Sequence, residues 1–158
     1  MNDVFVSWSG GKDSCLSYYK AVESGLNVRY LVNIVNEDGL FECTHGLPTS
    51  FLNAQIAAIG IPMIQLRTSG KNYEKDLKDL CRRLKLEGID GAVFGNGDVE
   101  HEWVNRFCQE VGVTAHFPLD ELSKSEVIEQ IVNLGFEVVT VTARADVLDD
   151  GWLGKRID

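Results

Sequence analysis

The 158 residues, 44% hydrophobic and 25% charged, suffice for one domain burying roughly two thirds of its unfolded surface, with no second core needed. A formal charge of −9 disfavours extended RNA or DNA binding, because a broad acidic surface repels phosphate backbones. No apolar stretch nears the roughly 20 residues that span a bilayer, and Met1-Asn2-Asp3 lacks the basic start of a secretory signal, so a cytoplasmic protein without membrane contact is expected.

Val4-Phe5-Val6 predicts a first strand over 3–8, and Cys15 to Tyr19 predicts a helix. Between them stands Ser9-Gly10-Gly11-Lys12-Asp13-Ser14, a phosphate cradle by composition and context. Two adjacent glycines let backbone N–H groups converge on an anion, and the following helix points its positive dipole end at the same spot. It is not a Walker A loop, which needs Gly where Val6 stands and Ser or Thr where Asp13 stands. A second strand is predicted over 28–35, followed by the polar segment Asn36 to Pro48, and a third over 62–67. Leu77, Leu80, Cys81 and Leu84 then make an apolar helical stripe. A fourth strand over 90–95 runs into Gly95-Asn96-Gly97-Asp98. Trp103, Val104, Phe107, Cys108 and Val111 form the next stripe, and a fifth strand covers 113–117. Ser123-Lys124-Ser125-Glu126 is a capping box ahead of a helix carrying Val127, Ile128, Ile131 and Val132, and a sixth strand is predicted over 136–142. Gly25, Gly60, Gly88, Gly112 and Gly135 each sit where a helix should stop.

Strands and helices that alternate through short connections require an α/β fold: three layers, doubly wound, with a mainly parallel sheet between helices. Ligands in such sheets bind beyond the C-terminal strand ends, near the switch in strand order. The segments Ser9 to Ser14, Asn36 to Pro48 and Gly95 to Asp98 should therefore line one pocket.

Within that pocket Lys12 offers a cation for charged phosphoryl oxygens. Asp13 and Ser14 can cap the helix and also meet magnesium or phosphate, two roles that are compatible. His45, in the polar Thr44-His45-Gly46 loop, is either a surface residue or an imidazole near phosphates. Asp98 either forms a turn or holds a metal or accepts a substrate proton. His101 and His116 have no ligand-spaced partners and are assigned to no metal site. Trp8 and Trp103 are read as packing residues, and Cys15, Cys81 and Cys108 as helix-core thiols. Arg82-Arg83 with Lys85 is the one basic cluster and reads as a solvated helix face.

Ser-Gly-Gly-Lys-Asp-Ser after a first strand resembles the pyrophosphatase loop of the PP-loop ATPases, the adenine nucleotide alpha-hydrolase-like (HUP) superfamily of GMP synthetase, NAD synthetase and tRNA-modifying ligases. Three further stretches narrow the resemblance. They are Thr44 to Pro48 with Ala54-Gln55 and Gly60-Ile61-Pro62, then Ala92 to Gly95 with Gly97-Asp98-Val99, then Ala143 to Asp146 with Trp152 to Asp158. Together they are similar to the diphthine-ammonia ligase family and its bacterial relatives. That resemblance implies an ATP-dependent carbon-nitrogen ligase that adenylylates a carboxylate, releases pyrophosphate, and lets ammonia or an amine displace AMP to give an amide. Members of known activity act on diphthine, a modified histidine of an elongation factor, in the route to diphthamide.

The resemblance places ATP on Ser7, Ser9, Gly10, Gly11, Lys12, Asp13 and Ser14, with Asn33, Ile34 and Val35 at adenine and His45 and Gly95 beside it. Lys12 and Asp98 become the catalytic residues, Asp13 the Mg²⁺ ligand, and Gly95 to Asp98 face the reacting carboxylate. The charge balance suits a small-molecule or single-side-chain carboxylate better than a polyanion. Oligomeric state stays open, a homodimer among the options. Two departures stand out: Asn96-Gly97 intervenes before Asp98, and the chain stops at Asp158 where relatives continue into a Gly-Glu-x-Gly-Glu motif. The expected layout is an ATP-binding domain over 1–142 and a tail over 143–158 that begins a C-terminal segment missing from this chain. That missing segment motivates the alternative, an ATP/AMP-binding regulatory module on the same fold without ligase turnover. Sulfur transfer or tRNA modification would want paired cysteines or a basic surface, and neither is visible.

Overall fold

Residues 2–95 and 101–157 are described by a computed structural model. They form two compact units, Met1–Asp120 and Glu121–Asp158. In chain order the first unit holds β1 (Asp3–Ser7), α1 (Lys12–Glu23), β2 (Asn27–Val35), α2 (Thr49–Ile59), β3 (Met63–Arg67), α3 (Tyr73–Leu86), β4 (Gly91–Val93), α4 (His101–Val111) and β5 (Thr114–His116). Its strands pair in the order β3-β2-β1-β4-β5, every neighbouring pair parallel. The expected doubly wound α/β sheet is what the sequence folds into.

Side-chain alternation along β1 explains why helices must cover both faces. Val4, Val6 and Trp8 join Ala21, Leu31 and Val93 in one core, with partly buried Tyr18, Ile56 and Ile59 from α1 and α2 against it. Phe5 points the other way, into a core with Leu77, Leu80, Cys81 and Leu84 of α3 and Val104, Phe107 and Cys108 of α4. A strand buried on both faces reads as an unbroken apolar run, as Val4-Phe5-Val6 does. The helix stripes at Leu77–Leu84 and Val104–Cys108 thus face the sheet, as their spacing predicts. Gly60 stops α2 in the left-handed conformation, φ 79°, and donates its N–H to Ile56 O; Gly25, Gly88, Gly112 and Gly135 follow the other helices at positive φ.

The order of strands reverses between β1 and β4. From β1 the chain winds outward through β2 to β3, then returns to β4 and winds the other way to β5. β1 and β4 lie side by side at that switch, and their C-terminal ends mark the position at which such sheets bind ligands.

The second unit contains α5 (Lys124–Asn133), β6 (Val138–Val139), a 3-10 turn (Asp150–Trp152) and β7 (Arg156–Ile157). Ser123 caps α5 as expected: its hydroxyl accepts the Glu126 N–H while the Glu126 carboxylate accepts the Ser123 N–H. The apolar run at 136–142 does not supply a sixth parallel strand. Only Val138–Val139 is extended, and it pairs antiparallel with β7. Val139 and Val141 stay 44% and 51% exposed, whereas an inner parallel strand needs both faces covered. The unit boundary falls before α5, upstream of the 142/143 division expected from the sequence.

Candidate functional site: a phosphate loop at the strand-order switch

β1 leads straight into the loop. Trp8 N–H donates to Val32 O at 2.7 Å, extending the pairing by one residue, and the indole is buried edge-on to Tyr18. Ser9 Oγ accepts the Gly11 N–H at 3.3 Å and lies 3.3 Å from Ser14 Oγ, which itself donates to Gly11 O at 2.9 Å. Gly10 turns the chain at φ 79°, a conformation that costs an L side chain about 1–2 kcal/mol. Gln55 of α2 braces the turn by donating its amide to Gly10 O at 3.0 Å. Gly11 is the N-cap of α1, and no side chain caps the helix. The first-turn N–H groups, left without intrahelical acceptors, therefore form a ready anion site with the helix dipole behind it.

The second predicted segment folds over this loop. Asn36 Oδ1 accepts the N–H groups of Leu40 and Phe41, and bridges at Val35–Glu42 and Phe41–Pro48 turn the segment back. Glu42, only 3% exposed, accepts the Thr44 and His45 N–H groups, one on each carboxylate oxygen, both at 2.6 Å. The His45 ring comes to rest on Gly11: a Cβ added there would lie 2.6 Å from Nε2. Sequence reasoning found His45 but missed Glu42. The signal was an acid placed two and three residues before the two amides it binds, in a segment otherwise too polar to be core.

β4 delivers Gly95 against the start of α1, where an added Cβ would stand 3.3 Å from the Asp13 carbonyl carbon. Asp98, with Asn96 and Gly97, lies outside the described residues. Lys12 Nζ sits 3.0 Å from both carboxylate oxygens of Asp13, the pair about one third exposed. Ser7 is half-buried at the end of β1. Asn33 is fully buried and donates its amide to Trp8 O at 2.7 Å, so its side chain fastens β2 to the base of the loop. Its neighbours' carbonyls are also engaged, Ile34 O by Cys43 N–H at 3.1 Å and Val35 O by Thr68 N–H at 3.2 Å.

The residues fit a polyphosphate: a two-glycine turn, an uncapped helix start, and an imidazole against Gly11. Among the described residues no group of three acidic, His or Cys side chains could hold a metal. Mg²⁺ takes one or two carboxylates and completes its shell with water and phosphate oxygens, so a single loop carboxylate such as Asp13 would be enough to hold it.

Trp103 stacks between Tyr73 and Phe107, with ring centroids 5.9 and 5.5 Å away. Arg82, Arg83 and Lys85 pair with Asp79, Glu87 and Asp90 along the surface of α3 and the turn after it. His101 pairs with Asp120 at 3.3 Å and lies on Phe117, while burial holds the His116 imidazole below its ordinary pKa. A groove of about 580 Å³, lined by Lys20, Ser24, His116 and Phe117, opens at the far end of α1, away from the loop.

A parallel sheet of order 3-2-1-4-5 with Ser-Gly-Gly-Lys-Asp-Ser at its switch point defines the nucleotide-binding α/β fold of the PP-loop ATPases. The chain belongs, more particularly, to the family described as diphthamide synthase N-terminal domain, whose model matches residues 2–115. No curated protein matches it. Among solved structures it is similar to a predicted subunit of a tRNA methyltransferase from Methanocaldococcus jannaschii, with a TM-score of 0.58 at 18% identity over 84% of this chain and 76% of that one. It is also similar to the U34-tRNA thiolase NcsA from Methanococcus maripaludis, solved with its [4Fe-4S] cluster, with a TM-score of 0.56 at 16% identity over 94% of this chain. The match covers 63% of the thiolase chain. Identities this low speak for the fold alone.

Proposed function

We propose that this chain binds ATP with Mg²⁺, transfers the adenylyl group to a carboxylate with release of pyrophosphate, and completes an amide with ammonia or an amine. The observation that carries the reading is the uncapped start of α1 at the β1/β4 switch, cradled by Gly10 and Gly11 and overlaid by His45. Attack on the α-phosphorus builds charge on the surrounding oxygens, and donors already aimed at that position stabilise it without rearrangement. Lys12 and Asp13 neutralise one another in the loop. A phosphate would offer Lys12 a more highly charged partner and free Asp13 for magnesium. Gly95 is tight against the Asp13 backbone, so β4 ends directly beside the start of α1. In this reading Asp98, three residues after Gly95 in the sequence, is the second catalytic residue.

The acceptor in this reading is a small molecule or a single protein side chain, as the net charge of −9 favours over a polyanion. No helix among the described residues is long and apolar enough to cross a membrane. Calorimetry with ATP, with and without Mg²⁺ and with Gly11→Asp as control, tests the cradle; a carboxylate screen scored by pyrophosphate and AMP tests the chemistry. Binding lost in the control and pyrophosphate released only with the right acceptor are expected. ADP and phosphate as products would refute the chemistry at the α-phosphorus. Tight ATP binding with no turnover for any acceptor would favour a regulatory module.

A further inference from the structure

We infer that Glu42 is a positioning residue whose buried carboxylate holds His45 over the phosphate loop; the inference rests on the nucleotide reading above. Glu42 is 3% exposed and forms no salt bridge among the described residues. A carboxylate placed so costs free energy unless its charge is met by strong donors. It is met by two backbone N–H groups at 2.6 Å, Thr44 on Oε1 and His45 on Oε2. Charge-assisted bonds of this kind are shorter and about twice as strong as neutral ones. The backbone of the same residue completes the clasp, since Glu42 N–H donates to Leu47 O at 2.9 Å and Gly46 N–H donates to Glu42 O at 3.1 Å. All four bonds close one tight turn, and the ring that the turn presents meets Gly11.

The chemistry requires an acid at this position. Glutamine would offer one carbonyl oxygen and one NH₂, so one of the two amides would face another donor instead of an acceptor. The cost would fall on the turn, and the imidazole would leave Gly11. An extra donor at the phosphates is of use only if it is already in place when the nucleotide arrives. The fixed turn supplies that preorganisation.

The test is a double-mutant cycle on ATP affinity with Glu42→Gln, His45→Ala and the pair, joined to an NMR measurement without nucleotide. In the wild-type background E42Q should weaken ATP about tenfold, the order expected for losing a preplaced charge-assisted bond. In the His45→Ala background it should weaken ATP no further. The wild-type protein should show NOEs between the His45 ring protons and the Gly11 α-protons, and E42Q should lose them. If E42Q fails to fold, Glu42→Asp, which keeps the charge but shortens the reach, carries the same cycle. Equal losses in both backgrounds, or NOEs unchanged in the variant, would overturn the inference while ATP binding by the wild type stands. Failure of the wild type to bind ATP would instead sink the nucleotide reading, and with it any role of the clasp there.

Discussion

Gly10 and Gly11 are adjacent and chemically identical, yet the structure assigns them different costs. At Gly10 an alanine meets two penalties. Its φ of 79° costs about 1–2 kcal/mol for an L residue. Its Cβ would also stand 2.5 Å from Leu52 Cδ2 and 2.8 Å from Gln55 Oε1. Leu52 is fully buried and Gln55 is bonded to Gly10 O, so neither moves freely, and overpacking of this kind costs about 1–3 kcal/mol. Gly10→Ala should therefore destabilise the first unit by roughly 2–5 kcal/mol. Gly11 has φ −89° and ψ 174°, which any residue adopts. Its alanine would meet the end of the His45 ring, with Nε2 at 2.6 Å, and would displace that side chain from the loop rather than any backbone. Gly11→Ala should cost stability less than about 1 kcal/mol, in line with ordinary surface changes, while weakening ATP. Native-state hydrogen exchange at the Phe5 and Val6 amides of β1 reports global opening of the unit, and calorimetry reports ATP affinity. Equal destabilisation by the two variants, or a Gly10→Ala protein as stable as wild type, would refute the reasoning.

Lys12→Ala should lower ATP affinity and turnover but leave stability within about 1 kcal/mol, because a partly exposed ion pair with Asp13 contributes little; a chemical melt beside calorimetry checks both halves. Ser123→Ala should cost α5 about 1 kcal/mol through the lost cap, read as faster amide exchange at Val127 and Ile128. The Ser123 hydroxyl and N–H hold the Glu126 carboxyl below its ordinary pKa of 4.5. Its contribution is thus complete above 4.5 and lost as acid carries the pH down through the lowered value, and Glu126→Gln should flatten that part of the stability profile. Burial pushes the Cys81 thiol up to about 12 and the Cys108 thiol to about 11, so at neutral pH a thiol reagent should reach exposed Cys43 first and those two only on unfolding.

Much of this protein is legible in its sequence because the information is local. An apolar run such as Val4-Phe5-Val6 suits a strand covered on both faces, Leu77 to Leu84 recurs at helical spacing, and Ser123 with Glu126 announces its own cap. The phosphate loop is legible for the same reason: two glycines between a strand and a helix mark the turn in the sequence itself, though Gln55 and Asn33 brace it from elsewhere in the chain. Where locality ended, the reading slipped. Val138 to Val141 has a strand's composition, but its pairing partner is β7, a choice made by burial and hydrogen bonding that the run itself does not encode.

The same division holds in the site. Sequence order alone brought forward Lys12, Asp13 and His45, since each carries its chemistry in its side chain. Tertiary structure decided what each faces: Lys12 on Asp13, Asn33 fastening Trp8, and His45 resting on a glycine thirty-four positions away. It also promoted Glu42, which has the sequence character of any surface acid, into a buried anion that shapes a turn. Residue types fix what a group can donate or accept, but only the folded backbone fixes the few ångströms over which donation occurs.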